Sequence, residues 1–172
     1  RVPGHVGGSI HVTSVAGGLS ALGHDVQVLV KSGDGPFPDD GVTWTEPEEI
    51  TSDAKDPDWT YLGTGPGHGI QLSSGRLLIP CWSDTSPGSA TWRDPPPNWG
   101  QIQSSFAFFS DDGGHTWQRG EKMSFDASDE CEAVELTDGT VYMTMRSRHN
   151  RKRRAVAHST DGGETWTDVE YD

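Results

Sequence analysis

Hydrophobic positions along this chain come in short runs, several of them in strict alternation with polar ones. Thr140–Arg146 alternates cleanly, placing Val141, Met143 and Met145 on one face and Tyr142, Thr144 and Arg146 on the other. That period of two predicts a strand with one buried side. Ser105-Phe106-Ala107-Phe108-Phe109 and Arg154-Ala155-Val156-Ala157-His158 predict two further short strands. Ile70-Gln71-Leu72, the turn Ser73-Ser74-Gly75 and Arg76-Leu77-Leu78-Ile79-Pro80 predict a hairpin. No stretch carries a helical period. Residues 84–100, with Pro95-Pro96-Pro97, read as a long exposed loop, and residues 1–24 are Gly-rich and only weakly strand-like.

The strands are punctuated by a repeat. Ser110-Asp111-Asp112-Gly113-Gly114-His115-Thr116-Trp117 and Ser159-Thr160-Asp161-Gly162-Gly163-Glu164-Thr165-Trp166 share the pattern Ser-x-Asp-x-Gly-x-Thr-Trp, 49 residues apart. Phe37-Pro38-Asp39-Asp40-Gly41-Val42-Thr43-Trp44 keeps everything but the Ser. A short carboxylate in such a segment accepts hydrogen bonds from the N–H groups of its own turn. The Gly suits a backbone position of positive φ, and the indole is large enough to fill the space beneath the turn. Each copy therefore reads as a hairpin turn with a packed Trp. Short antiparallel strands in a repeat of this length predict β-propeller blades, an all-β architecture.

Composition sharpens this picture. With 172 residues the chain suits one domain, 1–172, and about three blades fit, too few to close a ring. It is expected to be a piece of a larger protein, and it opens at Arg1 rather than Met. Seven Trp supply core volume to a chain only 31% hydrophobic, while 22 Gly and 11 Pro favour turns over helices. A net charge of −13 argues against nucleic acid as partner. No apolar run is long enough for a membrane span. Cys81 and Cys131 form no metal spacing and no disulfide framework, leaving two thiols or a single bridge. No His/Asp/Glu cluster has ligand spacing, so neither metal nor other cofactor is expected. Compartment is not legible.

The repeats resemble the Asp boxes, or bacterial neuraminidase repeats, of the sialidase (neuraminidase) superfamily. More informative segments accompany them. Thr64-Gly65-Pro66-Gly67-His68-Gly69-Ile70-Gln71-Leu72, followed by Gly75–Pro80, looks like the central segment of exo-α-sialidases of the non-viral type. Asp129-Glu130-Cys131-Glu132-Ala133-Val134-Glu135-Leu136 looks like their Asn-Glu-Cys-Gln strand. Met145-Arg146-Ser147 and Arg153–Ser159 follow in the family's order. Residues 43–172 carry the likeness; before them only Arg1-Val2-Pro3 does, similar to the family's Arg-Ile-Pro element.

The resemblance implies a six-bladed β-propeller and retaining hydrolysis of terminal α-linked sialic acid from a glycoprotein, glycolipid or oligosaccharide. Sialidases use a Tyr nucleophile where other glycosidases use a carboxylate. The substrate bears its own carboxylate at the reacting carbon, which repels an anionic nucleophile but not a phenol. A phenol of pKa about 10 needs a neighbouring base. Three arginines clamp the substrate carboxylate with planar forks that lysine lacks.

Carried over residue by residue, Glu130 matches the base that activates the Tyr, against the plainer reading of a solvated edge carboxylate. Arg146 matches the second clamp arginine, against membership of a solvated basic run from Arg146 to Arg154. Arg1 matches the first, against being merely where the chain begins. Gly67 and His68 lie in a loop whose glycines admit close approach of sugar, against an ordinary tight turn. Trp82 stands where the family has a pocket-lining Tyr, against a packed core indole. Asp84 and Glu132 depart from the family pattern, Glu132 adding charge beside Glu130. The acid/base Asp is not identified. The third arginine and the nucleophilic Tyr lie beyond Asp172 in the family's order, so the chain alone is expected to be inactive. The rival readings are a non-catalytic repeat-bearing propeller, glycan-binding or scaffolding, and a trans-sialidase.

Overall fold

The computed structural model describes residues 48–85, 102–124, 127–149 and 152–172. Arg1, the Trp44 repeat and the Pro95–Pro97 segment lie outside them. Residues Ile50–Asp172 form one compact unit. Among the described residues one short helix, α1 (Thr51–Ala54), precedes nine strands: β1 (Tyr61–Thr64), β2 (Ile70–Gln71), β3 (Leu77–Asp84), β4 (Gln103–Ser110), β5 (Gln118–Arg119), β6 (Ser128–Glu135), β7 (Val141–Ser147), β8 (Ala155–Ser159) and β9 (Glu170–Tyr171). The single turn of α1 is too short to leave a period in the sequence, which is why none was expected.

The strands form two antiparallel sheets, ordered β1-β3-β4-β5 and β6-β7-β8-β9. β1 pairs with the far half of β3 (Thr64 with Cys81), and β2 pairs with its near half (Ile70 with Leu78). The two are one edge interrupted by the Gly65–Gly69 loop, which contains a cis Gly65–Pro66 bond. β6 packs on β3 and β4. Where the sheets meet, the Cys131 N–H donates to the Gly65 carbonyl at 3.2 Å. The second sheet is a four-strand meander, and the first is a meander of the same form with its outer edge divided between β1 and β2, as in propeller blades.

Two apolar clusters explain the burial. Val141, Met143 and Met145, each fully buried, pack with Leu78, Ala107, Cys131, Ala133, Ala155 and Ala157 between the sheets. Phe106, Phe108, Cys81 and Trp117 pack on the far side of the first sheet under Ala54, Ile50 and Trp59. β4 lies between the clusters, and all eight of its residues are buried. Both cysteines are buried free thiols, and burial pushes that of Cys131 up to about 12.

Both described repeats close in the same way. Ser110 Oγ donates to Asp112 Oδ1 at 2.8 Å and accepts the Gly114 N–H at 2.8 Å, while Asp112 also takes the Thr116 N–H and hydroxyl. Ser159, Asp161, Gly163 and Thr165 repeat the pattern. Gly113, Gly114, Gly162 and Gly163 all take φ between 72° and 94°, the left-handed region. Trp117 is buried edge-on to Phe108 and donates to the Gly114 carbonyl.

These bonds hold the carboxylates ionised. The Thr116 hydroxyl and N–H, then Ser110, lower Asp112 strongly. Burial pushes Asp161 up, but the Ser159 and Thr165 hydroxyls and the N–H groups of Thr165 and Glu164 outweigh it and set it at about 2. A carboxylate lowered on folding stabilises the folded state above its unfolded value and loses that contribution as pH falls through the folded one. The thermal midpoint should therefore drop between the ordinary 3.8 and about 2. Asp161→Asn should shallow that decline; an unaltered acid limb would remove Asp161 from the account.

Candidate active site

The repeats and the candidate catalytic residues occupy opposite ends of the sheets. Val141 at the start of β7 pairs with Ser159 of the second described repeat, whereas Arg146 lies at the other end of the strand. That end is polar and buried: Asp84, Gln103, Ser104, Ser105, Ser128 and Asp129 are all under 5% exposed. Ser105 ties the sheets together there, its N–H donating to Ser128 Oγ and its hydroxyl to the Asp129 carbonyl.

The β6–β7 register shifts between Asp129 and Cys131: Asp129 pairs with Arg146, Cys131 with Met145, and Glu130 is the extra residue. In a regular strand, neighbouring side chains point to opposite faces; a bulge re-aims one of them. Here it brings two successive carboxylates onto one guanidinium. Arg146 Nε and Nη2 donate to the two oxygens of Asp129 at 2.7 and 2.8 Å. Its Nη1 lies 2.8 Å from Glu130 Oε2, both side chains being 43% exposed. The Asp129 hydrogen bonds raise the Arg146 pKa further, so the cation is permanent. Arg148 donates from Nε to Asp129 Oδ2 at 2.8 Å and to Gln103 Oε1 at 3.1 Å. Arg154 donates to the Glu130 carbonyl at 3.1 Å and to Thr144 Oγ1 at 2.7 Å, fixing the bulge from the β8 side.

The Gly65–Gly69 loop lies against β6. Glu132 Oε1 is 3.0 Å from His68 Nδ1 and accepts the His68 N–H at 3.3 Å. A side chain at Gly67 would drive its Cβ into the Glu132 carboxylate, so only glycine passes there without displacing it. Trp82 stacks on Tyr61 with ring centroids 4.9 Å apart, leaning over Gly63, where a Cβ would come within 2.5 Å of the indole. Tyr61 is 38% exposed, which makes the pair a partly open aromatic surface rather than a core contact.

Of the residues singled out from sequence, Glu130 and Arg146 meet directly, and Gly67 and His68 meet Glu132. Trp82 belongs to a separate aromatic pair, and Arg1 lies outside the described residues. Sequence reasoning missed Asp129, Arg148 and Tyr61. The signal for Arg148 was the Arg-x-Arg spacing, which puts both guanidiniums on one side of an extended segment; Asp129 joins them only through the β6–β7 pairing. Among the described residues no group of three or more His, Cys, Asp or Glu could hold a metal, and no helix is long and apolar enough to cross a membrane.

Two antiparallel sheets carrying Asp-box turns at one end, with a carboxylate and a guanidinium paired at the other, make up an all-β Asp-box protein. The chain belongs to the BNR repeat-like domain family, whose model matches residues 12–172. It is 33% identical over 150 residues to a sialidase of Bacteroides fragilis, covering 87% of this chain and 24% of that protein. It is 34% identical over 142 residues to human sialidase-4, covering 77% and 28%. The Hadza microbial sialidase Hz136 superposes with a TM-score of 0.59 at 32% identity, over 76% of this chain and 22% of that one. The chain thus spans about a quarter of the length of these relatives.

Proposed function

We propose that these residues are part of a six-bladed sialidase propeller, and that the full-length protein hydrolyses terminal α-linked sialosides with retention. The observation that carries this reading is the 2.8 Å approach of Glu130 to Arg146 at the polar end of two adjoining blades. In it Arg146 is one of three arginines receiving the substrate carboxylate, and Glu130 is the base that takes the proton from a Tyr supplied by another blade. A base and a clamp side by side suit a substrate whose anionic group sits on the reacting carbon. Arg1 is the proposed first clamp residue, and Gly67, His68 and Trp82 line the sugar's surroundings.

The sialidase relatives support the reaction class, and the substrate is the glycan chain of a glycoprotein, glycolipid or free oligosaccharide. The test is hydrolysis of a fluorogenic sialoside by the full-length protein, beside the same compound methyl-esterified at its carboxylate. Turnover of the free acid and at least roughly a hundredfold loss for the ester are expected, the scale of removing a charge-assisted bidentate pair. Equal rates would refute the clamp; no turnover of either would refute the activity and favour a non-catalytic binder.

A further inference from the structure

Asp129 has no exposed surface, and the proposed reaction gives it nothing to do. Both of its oxygens are fully engaged. Oδ1 accepts Arg146 Nε at 2.7 Å, and Oδ2 accepts Arg146 Nη2 at 2.8 Å together with Arg148 Nε at 2.8 Å and Nη2 at 2.7 Å. Its backbone is fixed as well, the carbonyl accepting the Ser105 hydroxyl.

A guanidinium presents two edges able to grip a carboxylate in parallel: the side edge, Nε with Nη2, and the end edge, Nη1 with Nη2. Asp129 occupies the side edge of Arg146. The end edge is thereby turned toward the half-exposed side where Glu130 stands. Left to itself, a half-exposed arginine spreads over many rotamers, and ordering it on binding costs free energy.

Charge adds a second requirement. Asp129 and Glu130 against Arg146 alone would leave the cluster with a net charge of −1, hostile to an anionic ligand in a chain already at −13. Arg148, on the same carboxylate, returns the cluster to neutrality while its Nε anchors to the buried Gln103. We propose that Asp129 is a positioning residue that aims the end edge of Arg146 at the substrate carboxylate, with Arg148 as the counter-cation that keeps this carboxylate from repelling the substrate. The proposal rests on the sialidase reading for its ligand, and on the geometry alone for the brace.

The experiment uses the full-length protein and two variants, Asp129→Asn and Arg148→Met. Asn keeps the shape and one acceptor oxygen but neither the charge nor the fork. With a fluorogenic sialoside, Asp129→Asn should raise KM by roughly ten-fold or more, the scale of a lost charge-assisted hydrogen bond. Its kcat should stay within about three-fold, because the clamp acts on ground and transition states alike. Arg148→Met should raise KM in the same direction at unchanged kcat. Independently of substrate, the slowly exchanging Nε–H resonance of Arg146 should broaden or vanish in Asp129→Asn. An unchanged resonance would overturn the brace even if the wild-type protein proved unable to cleave sialosides, a result that separately sinks the sialidase reading. A lost resonance with unchanged KM would overturn the positioning role. Were Asp129→Asn to unfold, the KM of Arg148→Met decides: unchanged, it overturns the proposal.

Discussion

Glu130→Gln in the full-length protein is expected to lower kcat on a fluorogenic sialoside by about 10²- to 10⁴-fold, the usual contribution of a positioned general base. The amide has the same shape and remains an acceptor, but it cannot take a proton from a phenol. KM should stay level or fall slightly, since the variant withdraws a competing carboxylate from Arg146 Nη1, 2.8 Å away. Stability should change by less than about 0.5 kcal/mol, as for most substitutions at partly exposed sites with no buried partner lost. This signature is the reverse of the one expected for Asp129→Asn, and the two variants together separate proton transfer from carboxylate capture. A Glu130→Gln protein with full kcat would dismiss Glu130 as the base.

The second large effect is on stability. Arg76 leaves the β2–β3 hairpin and joins both described repeats: Nε and Nη2 bond the two oxygens of Asp111 at 2.7 and 2.8 Å, Nη2 also reaches Glu164 at 2.9 Å, and Nη1 reaches the Asp161 carbonyl at 3.0 Å. Its guanidinium lies 4.0 Å from the Phe109 ring centroid, and its side chain is only 13% exposed. Surface ion pairs are usually worth little, but although Asp111 and Glu164 are half-exposed, this guanidinium is mostly buried, forked and stacked, and it also takes up a turn carbonyl. Arg76→Met should cost roughly 2–3 kcal/mol in urea unfolding at unchanged slope. Arg76→Lys should recover less than half of that, because an ammonium cannot fork. Arg119→Met is the control: its carboxylate partner Asp56 is 4.0 Å away and both groups are solvated, so the cost should stay under about 0.5 kcal/mol. If the two methionine variants lose equally, Arg76 does not clip the blades together.

Much of this was legible before any coordinates, for local reasons. The period of two assigned Val141, Met143 and Met145 to a buried face, and they are fully buried. The Ser-x-Asp-x-Gly-x-Thr-Trp segments fold through contacts within eight residues of one another, so their turns follow from composition alone. The apolar run Phe106–Phe109 announced a strand but not its burial on both sides. A strand cannot tell from its own residues whether one sheet or two cover it.

The sequence by itself determined the residue types, the alternation that faces them, and the self-contained turns, because each depends on neighbours a few positions away. Only the tertiary structure decided that Asp129, Glu130, Arg146 and Arg148 form one cluster. That outcome turns on a one-residue bulge in the β6–β7 register, and register is a property of two strands paired across space. The same holds for Arg76, whose partners lie 35 to 88 residues away in the chain. Charge is written in the sequence, but which charges share a dielectric and a distance is settled by packing.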